Sequence, residues 1–300
     1  MTSRRSFLAT AAAGFSLPAF AAPRPELRFH AGVGGEFTFD TGVVRGKLRA
    51  SGKSFGMAEV FHSPTGAALS RAYGLCGHYR VFTSNRRYGG GAWDWTSEAE
   101  LLGDGSVKVH WLSAPERPFV LEAHYRWVAR DTCDVETTVK AAAELPNFES
   151  FLASYFAPGF TNSLVYAQGA GKHPAFLAAD ESQGVWQMFP RDEAALPIIH
   201  DGRWKILPSP VDWVIRPPLE CPLGMRRNPS TGLTAILMAP RGDTYAVATP
   251  HQKEGHFSLY LAQFGRTIKA GESARARARL VIGSNITEKQ AVKLYRKFAK

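Results

Sequence analysis

Residues 251–265 read HQKEGHFSLYLAQFG, with two histidines, a glutamate and a lysine ahead of an alternating aromatic and aliphatic run. Such a set can build a metal site, an acid–base pair at the mouth of a pocket, or no more than a strand entered through a polar turn. Imidazole titrates near neutrality, so His251 or His256 beside Glu254 could pass a proton to or from a bound hydroxyl. Lys253-Glu254-Gly255 is a turn signal. Alternation beyond it puts Phe257, Leu259 and Leu261 on a core face and His256, Ser258 and Tyr260 on a face that can line a cleft. Zinc is disfavoured, because no HExxH pair is present and His251 and His256, across a turn, come with no third ligand. A hydrogen-bonded structural role is the ordinary fate of either histidine alone.

A second cluster is GLCGHYRVFTSNRRYGGGAWDW, residues 74–95. Tyr88, Trp93 and Trp95 stand among Arg80, Arg86, Arg87 and Asp94 around three consecutive glycines, an arrangement that offers flat rings and charged donors. Rings of this kind receive the C–H faces of sugars while polar neighbours take the hydroxyls. The bland alternative is that the tryptophans pack inward and the glycines turn a corner. The guanidinium forks of Arg80, Arg86 and Arg87 suit a carboxylate, which makes an acidic sugar a tenable ligand. His78 borders this cluster and is a better candidate for proton transfer than His62, which stands alone. Arg275, Arg277 and Arg279 alternate with alanines, and the simplest reading is a sheet edge guarded by charge.

Positioning such residues takes a scaffold, and its signals are β throughout. Short runs of period-two alternation, separated by Gly, Pro, Asn and Asp, recur from Leu27 to Ile282, roughly 18 strands in all. Phe119, Leu121, Ala123, Tyr125 and Trp127 share one face of a half-buried strand. Cys133, Val135 and Val139 repeat the scheme after a short turn, and Val107 to Trp111 precedes both, so an antiparallel meander is expected. Further strands are expected at 92–102, 151–156, 184–189, 211–215, 233–238, 245–249, 257–261 and 274–282. Thr287-Glu288-Lys289-Gln290 is a capping box, and Ala291, Leu294, Tyr295 and Phe298 form the apolar stripe of a closing helix. The fold class is all-β, a large antiparallel sandwich with a short C-terminal helix.

The segment IKAGESARARARLVIGSNITEKQAVKLYRKF, a glycine turn, a long strand and a short helix, resembles the end of galactose-mutarotase-like β-supersandwich domains. That resemblance implies a sugar site on a concave sheet face. Aldose epimerases of this architecture use a histidine acid and a glutamate base there, and no motif in this chain matches either.

The N-terminus narrows the setting. Ser3-Arg4-Arg5-Ser6-Phe7-Leu8, an alanine-rich apolar stretch and Ala19-Phe20-Ala21 look like a twin-arginine export signal with its cleavage site, so residues 1–21 are expected to be removed and 22–300 to fold as one domain, periplasmic or extracellular. The proline-rich stretch 190–222 could pass for a linker, but Trp204 and Trp213 are ill suited to a flexible tether. No later apolar run reaches the roughly 20 residues of a membrane span. The chain of 300 residues carries a formal charge of +10; without Arg4 and Arg5, 34 basic residues face 26 acidic ones. The excess is dispersed, with no nucleic-acid motif, so no nucleic acid partner is expected. Cys76, Cys133 and Cys221 form neither a disulfide framework nor a zinc pattern and read as buried thiols. No nucleotide loop, calcium loop or Ser-His-Asp order is present, so no cofactor is expected, and no oligomeric state follows. The reading is therefore an exported carbohydrate-active protein, an epimerase, lyase or hydrolase working by histidine and carboxylate groups, or a noncatalytic sugar-binding protein on the same scaffold. Its candidate residues are His78, His251, Glu254 and His256 for proton transfer, and Arg80, Arg86, Tyr88, Trp93, Trp95 and Tyr260 for binding.

Overall fold

The computed structural model describes residues 26–50, 54–84 and 86–300. The expected export signal lies outside the described residues.

The described residues build three sheets, antiparallel but for one strand pair. A four-stranded one runs through β1 (His30–Ala31), β2 (Glu36–Asp40), β3 (Val44–Arg49) and β4 (Gly56–His62) in order. A seven-stranded sheet has the order β15 (Trp213–Ile215), β14 (Trp186–Pro190), β18 (Thr244–Pro250), β19 (Ser258–Ile268), β11 (Leu145–Tyr155), β5 (Gly77–Thr83) and β6 (Arg86–Arg87), with one parallel pair, β14 and β15. A nine-stranded sheet follows the order β13 (Pro174–Ala178), β12 (Asn162–Gln168), β16 (Leu219–Arg227), β17 (Leu233–Met238), β20 (Ser273–Ser284), β10 (Thr132–Ala141), β9 (Phe119–Ala129), β8 (Val107–Trp111) and β7 (Glu98–Leu101). The expected meander is there, as β7 to β10 in register.

Alternation explains the layers. Phe119, Leu121, Ala123, Tyr125 and Trp127 of β9 and Ala274, Ala276, Ala278, Leu280 and Ile282 of β20 face Val81, Leu152, Val247, Leu259 and Leu261 of the smaller sheet in one apolar core. The four-stranded sheet extends that core, with Phe29 and Phe39 against Trp127. Strands β11, β18 and β19 carry apolar residues on both faces, because the seven-stranded sheet is covered on its far side as well: Phe151, Tyr155, Tyr245 and Tyr260 pack there under the segment 191–213. The outer face of the larger sheet is covered by α2 (Glu288–Phe298), whose Ala291 and Phe298 are buried against Cys221, Met225 and Val281. Its capping box forms as expected, Thr287 Oγ1 accepting from the Gln290 amide at 3.3 Å and the Gln290 side chain accepting from Thr287 N at 2.8 Å.

Two expectations change, and a third, that 190–222 is not a linker, holds. The stretch 92–102 is not one strand: Ala92–Asp94 is a single 3-10 turn, and the strand begins at Glu98. The arginine row of β20 guards no edge, since β20 lies between β17 and β10. Instead Arg279 pairs with Asp134 at 2.6 Å and Arg275 with Glu136 at 3.4 Å on the neighbouring strand β10, and Arg277 reaches Asp243 in the turn before β18 at 3.6 Å. Stretch 190–222 is no linker, for it contains α1 (Leu196–Ile199) and the buried Trp204. The three cysteines are buried free thiols.

Candidate functional site

A cavity of about 340 Å³ opens on the face of the seven-stranded sheet turned away from the larger one. Its floor is Phe151 and Tyr155 from β11 and Tyr260 from β19, Phe151 stacked on Tyr260 with centroids 4.7 Å apart. Beside them β5 departs from simple alternation. Ser150 pairs with Val81 and Leu152 with His78, so two residues, Tyr79 and Arg80, stand opposite the single Phe151. This bulge leaves both side chains on the cavity face while His78 and Val81 point into the core. Trp93 then stacks on Tyr79 with centroids 4.0 Å apart and on Tyr73 at 5.4 Å, forming an aromatic wall.

The roof comes from segment 191–213. Arg203, fully buried, fastens it to the sheet: it donates to Glu149 of β11 at 2.9 Å, to both carboxylate oxygens of Asp201 and to the carbonyl of Asn147. Burial pushes the Glu149 carboxyl up despite the guanidinium beside it. With that anchor in place, Trp204 wedges edge-on against Phe82, Phe151 and Trp213. Arg87 donates to the carbonyls of Pro208, Ile206 and Gly90, and Arg80 Nη2 donates to Ser209 O at 2.7 Å. These bonds draw residues 206–211 over the cavity.

At the opposite rim His256 lines the cavity, its ring 5.5 Å from Trp186 and 6.2 Å from Tyr155. Its Nδ1 lies 2.7 Å from Glu254 Oε1, and its backbone N donates to Glu254 Oε2 at 2.8 Å. One carboxylate thus fixes both the ring and the main chain of the histidine, leaving Nε2 for another partner. The turn that carries the pair is held from beneath by Arg226 of β16, fully buried, which donates to the carbonyls of Pro250 and Ser258 at its two ends. Burial pushes the Tyr260 phenol up to about 12 and Tyr155 well above its ordinary value, so both remain hydroxyls at neutral pH. An imidazole backed by a carboxylate, with neutral hydroxyl groups nearby, is equipped for proton transfer to or from a bound hydroxyl.

No family model and no curated protein matches the chain. Solved structures do resemble it. A quadruple mutant of the α-N-acetylgalactosaminidase NagBb of Bifidobacterium bifidum superposes with a TM-score of 0.50 at 12% identity, over 89% of this chain and 38% of that one. The fold is galactose-mutarotase-like. A putative aldose 1-epimerase of Escherichia coli K12 gives a TM-score of 0.45 at 12% identity, over 83% of this chain and 99% of that one. For a mutant of the heparan sulfate lyase HepC of Pedobacter heparinus the values are 0.48 and 8%, over 87% and 37%. The chain therefore spans nearly all of the epimerase and under two fifths of the other two proteins, and at these identities the likeness concerns the architecture alone.

On this galactose-mutarotase-like scaffold the two sequence clusters meet, in part. Arg80 and Trp93 from the first and His256 and Tyr260 from the second line one cavity, with Glu254 behind His256. The remaining candidates lie elsewhere. His78 is fully buried between the sheets, 2.9 Å from Thr137 Oγ1 and against Trp111, and burial pushes it down to about 3. Tyr88 and Trp95 join the same core around Phe119, and Arg86 lies over Tyr88 and donates to Glu116 O. His251 accepts from Lys253 N at 3.2 Å and caps the turn rather than facing the cavity. His62 bonds Thr65.

The sequence reading missed Tyr73, Tyr79, Tyr155, Trp186, Trp204 and Trp213 as cavity residues. For Tyr155 the signal was available, since it shares strand parity with Phe151; the others sit in loops, next to a bulge or on a strand start. A larger groove of about 680 Å³ runs beside α2 past Ile286 and Leu294, with Asp131, Lys293, Arg296 and Lys297 also along it, and it takes in none of the candidate residues. Among the described residues no three His, Cys, Asp or Glu side chains come together as a metal site, and no helix is long and apolar enough to cross a membrane.

Proposed function

We propose that this is an exported carbohydrate-active protein that holds a sugar or oligosaccharide in the aromatic cavity and exchanges a proton with it through His256. The observation that carries this reading is the His256–Glu254 contact of 2.7 Å on the rim of a cavity walled by Tyr73, Tyr79, Trp93, Tyr155 and Trp186. Rings placed in this way suit the apolar faces of a pyranose, and His256 lies where a hydroxyl or ring oxygen of that sugar would arrive. Tyr155 and Tyr260 supply hydrogen bonds. Export rests on the sequence of residues 1–21, and the single-domain reading of 22–300 is supported by a core that draws on residues from Phe29 to Ile282.

Replacing His256 by Gln should lower turnover of a converted glycan by about 10²- to 10⁴-fold, the range of a lost general acid or base. Unchanged turnover would remove His256 from the chemistry. A second reading, noncatalytic sugar binding, is favoured by one observation: among the described residues no Asp or Glu lines the cavity, so the paired carboxylates of ordinary glycoside hydrolysis are lacking. Calorimetric titration against a glycan panel with product analysis separates the two. Saturable binding without conversion supports the second reading, and no binding to any glycan overturns both. Export is tested by changing Arg4 and Arg5 together to Lys, which should leave the precursor unprocessed in the cytoplasm.

A further inference from the structure

Among the described residues three arginines are buried in or near this site, and two of them are fully accounted for. Arg203 has Glu149 and Asp201; Arg226 has the carbonyls of Pro250, Ser258 and Phe160 and the hydroxyl of Thr249. Arg80 differs. Its residue is 3% exposed and lines the cavity, yet among the described residues it hydrogen-bonds only through Nη2, to Ser209 O at 2.7 Å and to the Tyr79 hydroxyl at 3.3 Å. Nε and Nη1 have no partner, and no carboxylate pairs with the guanidinium among the described residues. The cation lies 5.0 Å from the centre of the Tyr79 ring and 5.3 Å from that of Trp204, which orient it without neutralising it. A second positive charge, Arg87, stands close enough to be felt, its Nη1 and Nη2 donating to backbone carbonyls and its Nε without a partner among the described residues. Burying a guanidinium with donors unmet is costly unless something meets them.

We propose that Arg80 is a carboxylate-binding residue and that the sugar taken by the cavity is an acidic one, a uronic acid or a chain containing it. The proposal rests on the reading of the cavity as a sugar site. It also narrows the three arginines of the sequence cluster to one, because Arg80 lines the cavity, whereas Arg86 lies over Tyr88 and donates to Glu116 O, and Arg87 stands behind the strap, donating to the Pro208, Ile206 and Gly90 carbonyls. A planar guanidinium with open donors matches a carboxylate's two oxygens, and among the described residues no acidic side chain lines the cavity to repel one. Neither open nitrogen touches solvent, so the ligand reaches them as strap residues 207–211 shift, and the contact joining that strap to the guanidinium is the Ser209 carbonyl.

The test is titration of the full chain with glucuronic and galacturonic acid oligosaccharides, with the same oligosaccharides reduced at the carboxyl to the neutral sugar, and with neutral sugars bearing a sulfate ester. Acidic forms should bind at least tenfold more tightly than their reduced counterparts, and Arg80→Gln should erase that preference. Equal binding of acidic and reduced forms, a preference that survives Arg80→Gln, or a preference for the sulfate ester over the uronate would each overturn the carboxylate assignment and leave the sugar-site reading intact. Binding of none of them, alongside no binding across the neutral panel, would overturn the sugar-site reading itself. Should Arg80→Gln fail to fold, the acidic-against-reduced comparison on the unaltered chain still decides.

Discussion

Trp93 and Trp95, two residues apart, end on opposite sides of a sheet: Trp93 is stacked on Tyr79 at 4.0 Å in the cavity, while Trp95 lies in the interlayer core beneath the guanidinium of Arg117 at 4.2 Å. Trp93 lies within the 3-10 turn Ala92–Asp94 and Trp95 caps its end, and strand parity does not hold through such a turn. Their substitutions should therefore part in effect. Trp93→Ala should weaken glycan binding about tenfold with little loss of stability, whereas Trp95→Ala should cost about 3–5 kcal/mol of folding free energy. Calorimetric titration and urea unfolding on both variants check the pair, and equal effects on the two measures would contradict it.

The buried anchor of the roof should be intolerant of change. Arg203→Met leaves Glu149 and Asp201 without their cation, a loss of about 3–5 kcal/mol. Arg203→Lys should recover only part of it, because one ammonium cannot serve Glu149, Asp201 and the Asn147 carbonyl together. Denaturant midpoints of the two variants test this, and a fully stable lysine variant would show that the fork geometry is dispensable.

Acid should act through His78. Its folded pKa of about 3 lies below the ordinary 6.5, so the folded chain keeps the ring neutral while the unfolded chain takes up a proton. Its contribution to stability is whole above about pH 6.5 and falls by up to about 1.4 kcal/mol per pH unit as the pH drops toward 3. His78→Gln should remove one proton's worth of that slope, measured as urea midpoints between pH 7 and 4. Parallel slopes in the two proteins would mean the ring is not held neutral.

The closing helix offers a smaller effect. Thr287→Ala removes the hydroxyl that accepts from the Gln290 amide and should cost about 1 kcal/mol, while Thr287→Ser should cost much less. Thermal unfolding of the two variants would show the difference as unequal melting temperatures.

Much of the architecture was legible because period-two burial leaves its mark residue by residue. The β7–β10 meander, the face that joins Tyr260 to the cavity and the capping box at Thr287 all follow from side-chain spacing within one segment. The arginine row on β20 was misassigned for the complementary reason, since whether a strand is central or at an edge depends on partners more than 100 residues away, here β10.

The same division runs through the site. By itself the sequence determined that an all-β chain would set His256 and Glu254 in a turn before a strand with Tyr260 on its polar face, and that tryptophans and arginines would crowd residues 80–95. Only the tertiary structure decided which of them meet. One extra residue in β5 opposite Phe151 turned Tyr79 and Arg80 to the cavity together and His78 into the core. The fold of 191–213 over the sheet then closed Arg80 beneath Ser209 with no carboxylate partner among the described residues. Local periodicity fixes the face a side chain takes along a regular strand, but bulges and long-range pairing choose what stands opposite it.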